Sequence, residues 1–264
     1  MVTGPPTSPR PWLGRLALAV CVAAALAAAL RPAARMAYTH ELARRGQRIN
    51  PAPVDATGNP RGPRVLFLGD SRAAAWPALA PDRFRTLNVG VDGETTTQVR
   101  HRTAAVLAGE TPAVVVIQAG INDLKIIGVD AAAAPTLIRE CRTNLAVLVH
   151  DSRAAGAQVI LTLIFPAGPV DWRRRLVWST QIDTAVREIN AALATQFSAT
   201  PGVWLMDPEK ILRPANRTED YQDTLHLRPA AYEKLQTALL PLIEQALAAR
   251  ATNGPVSSNT PGDR

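Results

Sequence analysis

Cysteine is almost missing from this chain: Cys21 and Cys141 are the only two in 264 residues. Two thiols cannot build a disulfide framework or a cysteine-based metal cluster, so no disulfide and no structural metal are expected. Lysine is scarce as well, with Lys125, Lys210 and Lys234 the only three among 29 basic side chains. Over most of the length an excess of either charge sign is also lacking. The net charge is +7, yet residues 1–64 carry nine Arg against Glu41 and Asp55, while residues 65–264 carry 20 basic and 20 acidic side chains. The neutral stretch therefore has no electrostatic footprint for nucleic acid, which is excluded as a partner. No internal repeat breaks it, and it fits one domain of the usual ~100–200 residues.

What is present falls into four segments. Leu16–Leu30 is an unbroken apolar run of 15 residues preceded by Arg10 and Arg15, the pattern of a signal-peptide core or short membrane anchor. Residues 1–31 are read as an uncleaved signal-anchor, or transmembrane, segment holding the following domain on the periplasmic or extracellular side. A secreted form, cleaved near Ala27–Ala29, is the alternative. Arg31, Arg35, Arg44, Arg45 and Arg48 argue against that orientation by the positive-inside count. Residues 32–63 are read as a juxtamembrane helix and a linker, because Pro51, Pro53, Gly58, Pro60, Gly62 and Pro63 interrupt any regular element. The domain is placed at residues 64–250. Residues 251–264, rich in Ser, Thr, Pro, Gly and Asn, are read as a disordered tail.

Within the domain, five short β-prone runs, Val65–Leu68, Leu87–Val89, Val114–Ile117, Val159–Ile164 and Val203–Met206, are apolar on both faces. Strands of that kind lie buried in parallel sheets. Helical spacing predicts Thr95–Leu107, Pro135–Ala155, Thr180–Phe197 and a last helix opened by Pro229 and reaching about Ala249, kinked or broken at Pro241. The alternation predicts a three-layer α/β/α sandwich on a mostly parallel, five-stranded, flavodoxin-like sheet.

Chemistry-bearing residues cluster at the ends of these strands. Gly69-Asp70-Ser71 closes the first strand and leads into a helix-compatible stretch, which places a hydroxyl beyond a strand's carboxyl end and beside helical N–H groups. Asp92-Gly93-Glu94-Thr95 follows the second strand, and Gly120-Ile121-Asn122-Asp123 follows the third. Asp223-Thr224-Leu225-His226 puts a carboxylate and an imidazole three residues apart before the last helix. Each signal taken singly is an ordinary turn or cap. Together, three of them fall at strand ends that a parallel sheet brings to one edge.

In these four blocks the sequence resembles the SGNH/GDSL hydrolase family, from about Arg64 to Ala249. Arg72 departs from the leucine of the family's short motif, and Gly90 is a rival to Gly93. The resemblance implies Ser71 as nucleophile, His226 as general base and Asp223 as its orienting carboxylate. It implies an oxyanion hole from the N–H groups of Ser71 and Gly93 and the amide of Asn122, without cofactor or metal. No Gly-x-Ser-x-Gly surrounds a candidate nucleophile, which sets aside the α/β-hydrolase elbow. The expected activity is serine-dependent hydrolysis of acyl esters, such as short acyl esters of an envelope carbohydrate or lipid. An acyltransferase to a glycan hydroxyl and a catalytically silent binding protein are the alternatives. Arg72, expected at the rim, and Trp172 and Trp178, in an Arg-rich loop after the fourth strand, are candidate substrate-binding residues. Oligomeric state is left open.

Overall fold

The computed structural model describes residues 11–46, 55–212 and 217–253. Its sheet contains β1 (Asp55–Gly58), β2 (Arg64–Gly69), β3 (Arg85–Asn88), β4 (Val114–Gln118), β5 (Gln158–Thr162) and β6 (Val203–Met206), in the order β1-β3-β2-β4-β5-β6. The strands from β2 to β6 pair in parallel, and β1 runs antiparallel to β3 with Asp55 opposite Asn88. The sheet thus has one strand more than the five expected. The added strand lies in the stretch read as linker, and Asp-Ala-Thr-Gly has no apolar alternation to announce it. Backbone pairing along the outer edge of β3 needs none.

The helices are α1 (Pro11–Gly46), α2 (Ser71–Ala74), α3 (Thr96–Glu110), α4 (Ile121–Leu124), α5 (Ala134–Ala154), α6 (Thr180–Phe197), α7 (Pro208–Ile211), α8 (Arg217–Asp220) and α9 (Pro229–Asn253). On one face of the sheet, Leu66, Leu87, Val115 and Leu161 pack with Val99 of α3, Leu145 and Leu148 of α5, and Ile189 and Leu193 of α6. On the other, Val65, Phe67, Val116 and Ile160 pack with Trp76 and with Leu235, Leu239 and Ile243 of α9. These two cores make the expected three layers. Strands buried on both faces must be apolar at every position, which is why they read as continuous runs.

Helix α9 runs through Pro241 without a break and continues to Asn253, past the expected end at Ala249 and into the segment read as tail. Its buried face is Leu235, Leu239, Ile243 and Ala246, whereas Pro241 and Thr237 are exposed. The carbonyl that Pro241 leaves without an N–H donor therefore belongs to a residue on the solvent side, where water can satisfy it. Residues 254–264 of the expected tail and 47–54 of the expected linker lie outside the described residues.

The apolar run expected to anchor the chain lies within α1, where Leu16, Leu18, Val20, Val22, Leu26 and Leu30 are exposed. Fifteen residues make about 22 Å of helix, short of a hydrocarbon core of about 30 Å. Among the described residues no helix is long and apolar enough to cross a membrane.

Chain order fixes where a site can form. From β2 the chain steps to β3 on one side, then returns past β2 to β4 and continues outward through β5 and β6. This reversal opens a crevice at the carboxyl ends of β2 and β4, where open α/β sheets bind ligands.

Candidate active site

Ser71 is the first residue of α2, immediately beyond β2. Its position is set by Asp70, whose N–H donates to the Gln118 carbonyl at the end of β4 (3.1 Å) and whose Oδ1 caps the turn by accepting from the Arg72 N–H (2.9 Å). Asp70 is fully buried, and that burial pushes its carboxyl up to about 6 against the pull of Arg72.

Gly93 follows β3 at φ 78°, a left-handed conformation that glycine adopts without Cβ strain. The next residue anchors the turn. Glu94 forms a buried ion pair with Arg102 of α3 (2.9 Å), and Arg102 also donates to the Gly69 carbonyl (3.1 Å). The Glu94 backbone carbonyl accepts from Asn122 Nδ2 (2.9 Å), while Asn122 Oδ1 accepts from Lys125 Nζ (2.7 Å). A carbonyl can only accept and an ammonium can only donate, so these partners admit one orientation of the amide. Nδ2 retains a second hydrogen. Asp123, beside it, caps α3 through the backbone N–H and hydroxyl of Thr96, tying the turn after β4 to the turn after β3. Burial raises the Asp123 carboxyl to about 6, opposed by those Thr96 hydrogen bonds.

The Asp223–His226 loop follows β6, at the far side of the sheet from β2, and is drawn in by long-range hydrogen bonds. Tyr221 Oη donates to the Pro166 carbonyl (2.6 Å), Thr224 Oγ1 to the Pro169 carbonyl (2.9 Å), and the Gly168 N–H to the Thr224 carbonyl (2.9 Å). Within the loop, Asp223 Oδ2 lies 2.8 Å from His226 Nδ1, and Oδ1 accepts from the N–H groups of Leu225 (2.7 Å) and His226 (2.8 Å). Partial burial opposes ionisation of Asp223, but the His226 ring and these two N–H groups outweigh it and hold the carboxyl at about 2. An ionised acceptor at Nδ1 requires the ring hydrogen there, so in the neutral imidazole the lone pair lies on Nε2.

Ser71, Gly93, Asn122, Leu225 and His226 line one pocket of about 240 Å³, together with Asp92, Ile121, Lys125, Arg174 and three residues of α1, Tyr38, Glu41 and Leu42. Gly90 is elsewhere: a Cβ there would meet the Ala74 backbone nitrogen at 2.2 Å, so it lets β3's end pack on α2.

The model of the GDSL-like lipase/acylhydrolase family matches residues 55–234, about two thirds of the chain. The chain belongs to this family. Esterase TesA of Pseudomonas aeruginosa is 35% identical over 112 residues, covering 37% of this chain and 52% of TesA, so the match spans about half the length of that relative. Three solved structures share the fold. A GDSL-like lipase of Bacteroides thetaiotaomicron has a TM-score of 0.56 at 22% identity, covering 81% of this chain and 98% of its own. A lipase/acylhydrolase of Enterococcus faecalis gives 0.53 at 20%, covering 69% and 96%. An acetylxylan esterase of Geobacillus stearothermophilus gives 0.50 at 20%, covering 69% and 94%.

In this GDSL-family chain three sequence expectations change place. Arg72 is not at the rim: it is 1% exposed, and its guanidinium donates to the carbonyls of Leu225 (2.7 Å), Phe165 (2.9 Å) and Pro166 (3.4 Å). Trp178 is 9% exposed and belongs to the core, so it packs instead of facing the pocket. Trp172 is 68% exposed, lies beside Arg173 and does not line the pocket. From that loop Arg174 does. Lys125, the Glu94–Arg102 pair and the inward role of Arg72 were missed, since their partners are set by tertiary folding. A lysine three residues after Asn122 was the only local hint.

Proposed function

We propose that this chain is a serine esterase acting on small acyl esters through an acyl-enzyme on Ser71. The observation that carries the reading is that His226, paired with Asp223 at 2.8 Å, lines one pocket with Ser71. With Nδ1 protonated toward an ionised Asp223, the Nε2 lone pair of His226 takes the Ser71 proton as the hydroxyl attacks the ester carbonyl. The tetrahedral oxyanion is received by the N–H groups of Ser71 and Gly93 and by the second Nδ2 hydrogen of Asn122. His226 returns the proton to the leaving alcohol, then activates water to release the acid. A pocket of about 240 Å³ is below the ~300–1,000 Å³ usual for drug-sized ligands, which favours a short acyl group, such as acetyl on a carbohydrate. Among the described residues no cluster of His, Cys, Asp and Glu could hold a metal.

The test is hydrolysis of p-nitrophenyl acetate, butyrate and octanoate by the full chain beside a folded Ser71→Ala variant. Turnover reduced about a thousandfold or more by the substitution is expected. No turnover by folded wild-type protein would sink the reading.

We further propose that the exposed apolar run of α1 associates with a membrane and that the domain is exported. A reporter phosphatase fused after Pro63 should be active; silence, with a cytoplasmic reporter active at the same junction, rejects export.

A further inference from the structure

Helix α1 lies outside the residues matched by the family, and nothing in the proposed chemistry requires it, yet it contributes Tyr38, Glu41 and Leu42 to the pocket that holds Ser71 and His226. The contact follows a helical stripe. Ala34, Arg35, Tyr38, Glu41 and Leu42 are partly buried, while Met36, Ala37, Thr39, His40, Ala43 and Arg44 are exposed. Positions i, i+1, i+4, i+7 and i+8 form one face of a helix, as expected when a single side is laid against a surface. The turn Arg174–Leu176 supports it, because α1 packs against this turn and Arg174 lines the same pocket.

We propose that the carboxyl-terminal half of α1 is a wall of the substrate site, and that Tyr38 and Leu42 set the length of acyl chain admitted. This rests on the esterase reading above. The two side chains supply apolar bulk opposite the sheet edge, in a pocket of about 240 Å³. A pocket closed by side chains from outside the α/β sandwich can be lengthened without cutting into the cores that hold the fold. Discrimination by chain length in such a pocket is worth roughly 10–200-fold per steric step.

The experiment compares kcat/KM for p-nitrophenyl acetate and octanoate in the full chain and in Tyr38→Ala, Leu42→Ala, Leu42→Trp and Met36→Ala variants, each checked by circular dichroism. Tyr38→Ala and Leu42→Ala should raise the octanoate-to-acetate ratio about tenfold or more. Leu42→Trp should lower it, and Met36→Ala, on the exposed face, should leave it unchanged. Acetate hydrolysis retained with the ratio within twofold of wild type in both alanine variants and in Leu42→Trp would overturn the wall. Absence of any Ser71-dependent hydrolysis in the wild-type chain would instead overturn the esterase reading, and the inference with it.

Discussion

Arg72 donates from Nε to the carbonyl of Leu225 at 2.7 Å, joining the residue after Ser71 to the residue before His226 across 153 positions of sequence. Its other nitrogens reach the carbonyls of Phe165 and Pro166, and its guanidinium lies 5.4 Å from the Phe165 ring centroid. The clamp closes from a further direction, since Tyr232 of α9 donates to the Arg72 carbonyl (3.0 Å). Three chain segments that must meet for Ser71 and His226 to share a pocket thus meet on one buried side chain.

Replacing Arg72 by Leu leaves those carbonyls buried without a donor, at about 1–3 kcal/mol for each. Arg72→Leu should lower unfolding free energy in urea by about 3 kcal/mol or more, and kcat at least about tenfold as the His226 loop loses its register. Arg72→Lys should recover little, because an ammonium lacks the planar fork that spans several acceptors. Wild-type kcat in Arg72→Leu would remove the clamp from the account.

Lys125 fixes the Asn122 amide, so Lys125→Met should act on turnover more than on binding. The expected loss in kcat is about 10- to 100-fold, smaller than the roughly 10²–10³ for deleting an oxyanion donor outright, with KM within about threefold. Lys125→Arg should restore part of it. A rise in KM with unchanged kcat would instead make Lys125 a ground-state contact.

The two tryptophans should separate cleanly. Trp178→Ala removes a core side chain and should cost about 3–5 kcal/mol in chemical denaturation. Trp172→Ala should change stability by less than about 0.5 kcal/mol and leave KM for a small ester unchanged. A large KM effect at Trp172 would place that side chain at the site beside Arg174.

Burial raises Asp70 and Asp123 to about 6, against about 3.9 in an unfolded chain. Between those values the folded state binds more protons, so their contribution to stability is complete below about pH 4 and declines as pH rises through 6. Asp223, held at about 2, has the opposite sign, and its contribution is lost only below about pH 4. Melting temperature should therefore fall from pH 4.5 to 7, and Asp70→Asn should flatten that slope. Its Oδ1 contact to Arg72 survives, and Oδ2 has no hydrogen-bond partner among the described residues. An unaltered slope in Asp70→Asn would assign the pH dependence to other groups.

Parts of the fold and of the site are legible in the linear sequence for a definite reason. The strands β2, β4 and β5 announce themselves because both their faces are buried, β6 because its apolar residues pack toward both cores, and α6 because its apolar spacing is helical from Thr180 to Phe197. Ser71, Gly93, Asn122 and the Asp223–His226 pair, each an ordinary turn or cap taken singly, stand out together because their four blocks resemble those of the SGNH/GDSL family in order and spacing. Strand β1 was not legible, since an edge held by backbone hydrogen bonds leaves no side-chain pattern, and neither was the passage of α9 through Pro241, which depends on which face meets solvent.

What the sequence by itself determined is the set of locally encoded features: which apolar runs are buried strands, which are helices, and which turns match the family's blocks. Only the tertiary structure decided the partners. Arg72 turned inward because buried carbonyls from distant segments converge beside it, Trp178 went to the core, and Tyr38 and Leu42 reached the pocket. Burial and hydrogen-bond satisfaction are properties of the assembled chain, and pairings 93 or 153 residues apart have no local signature.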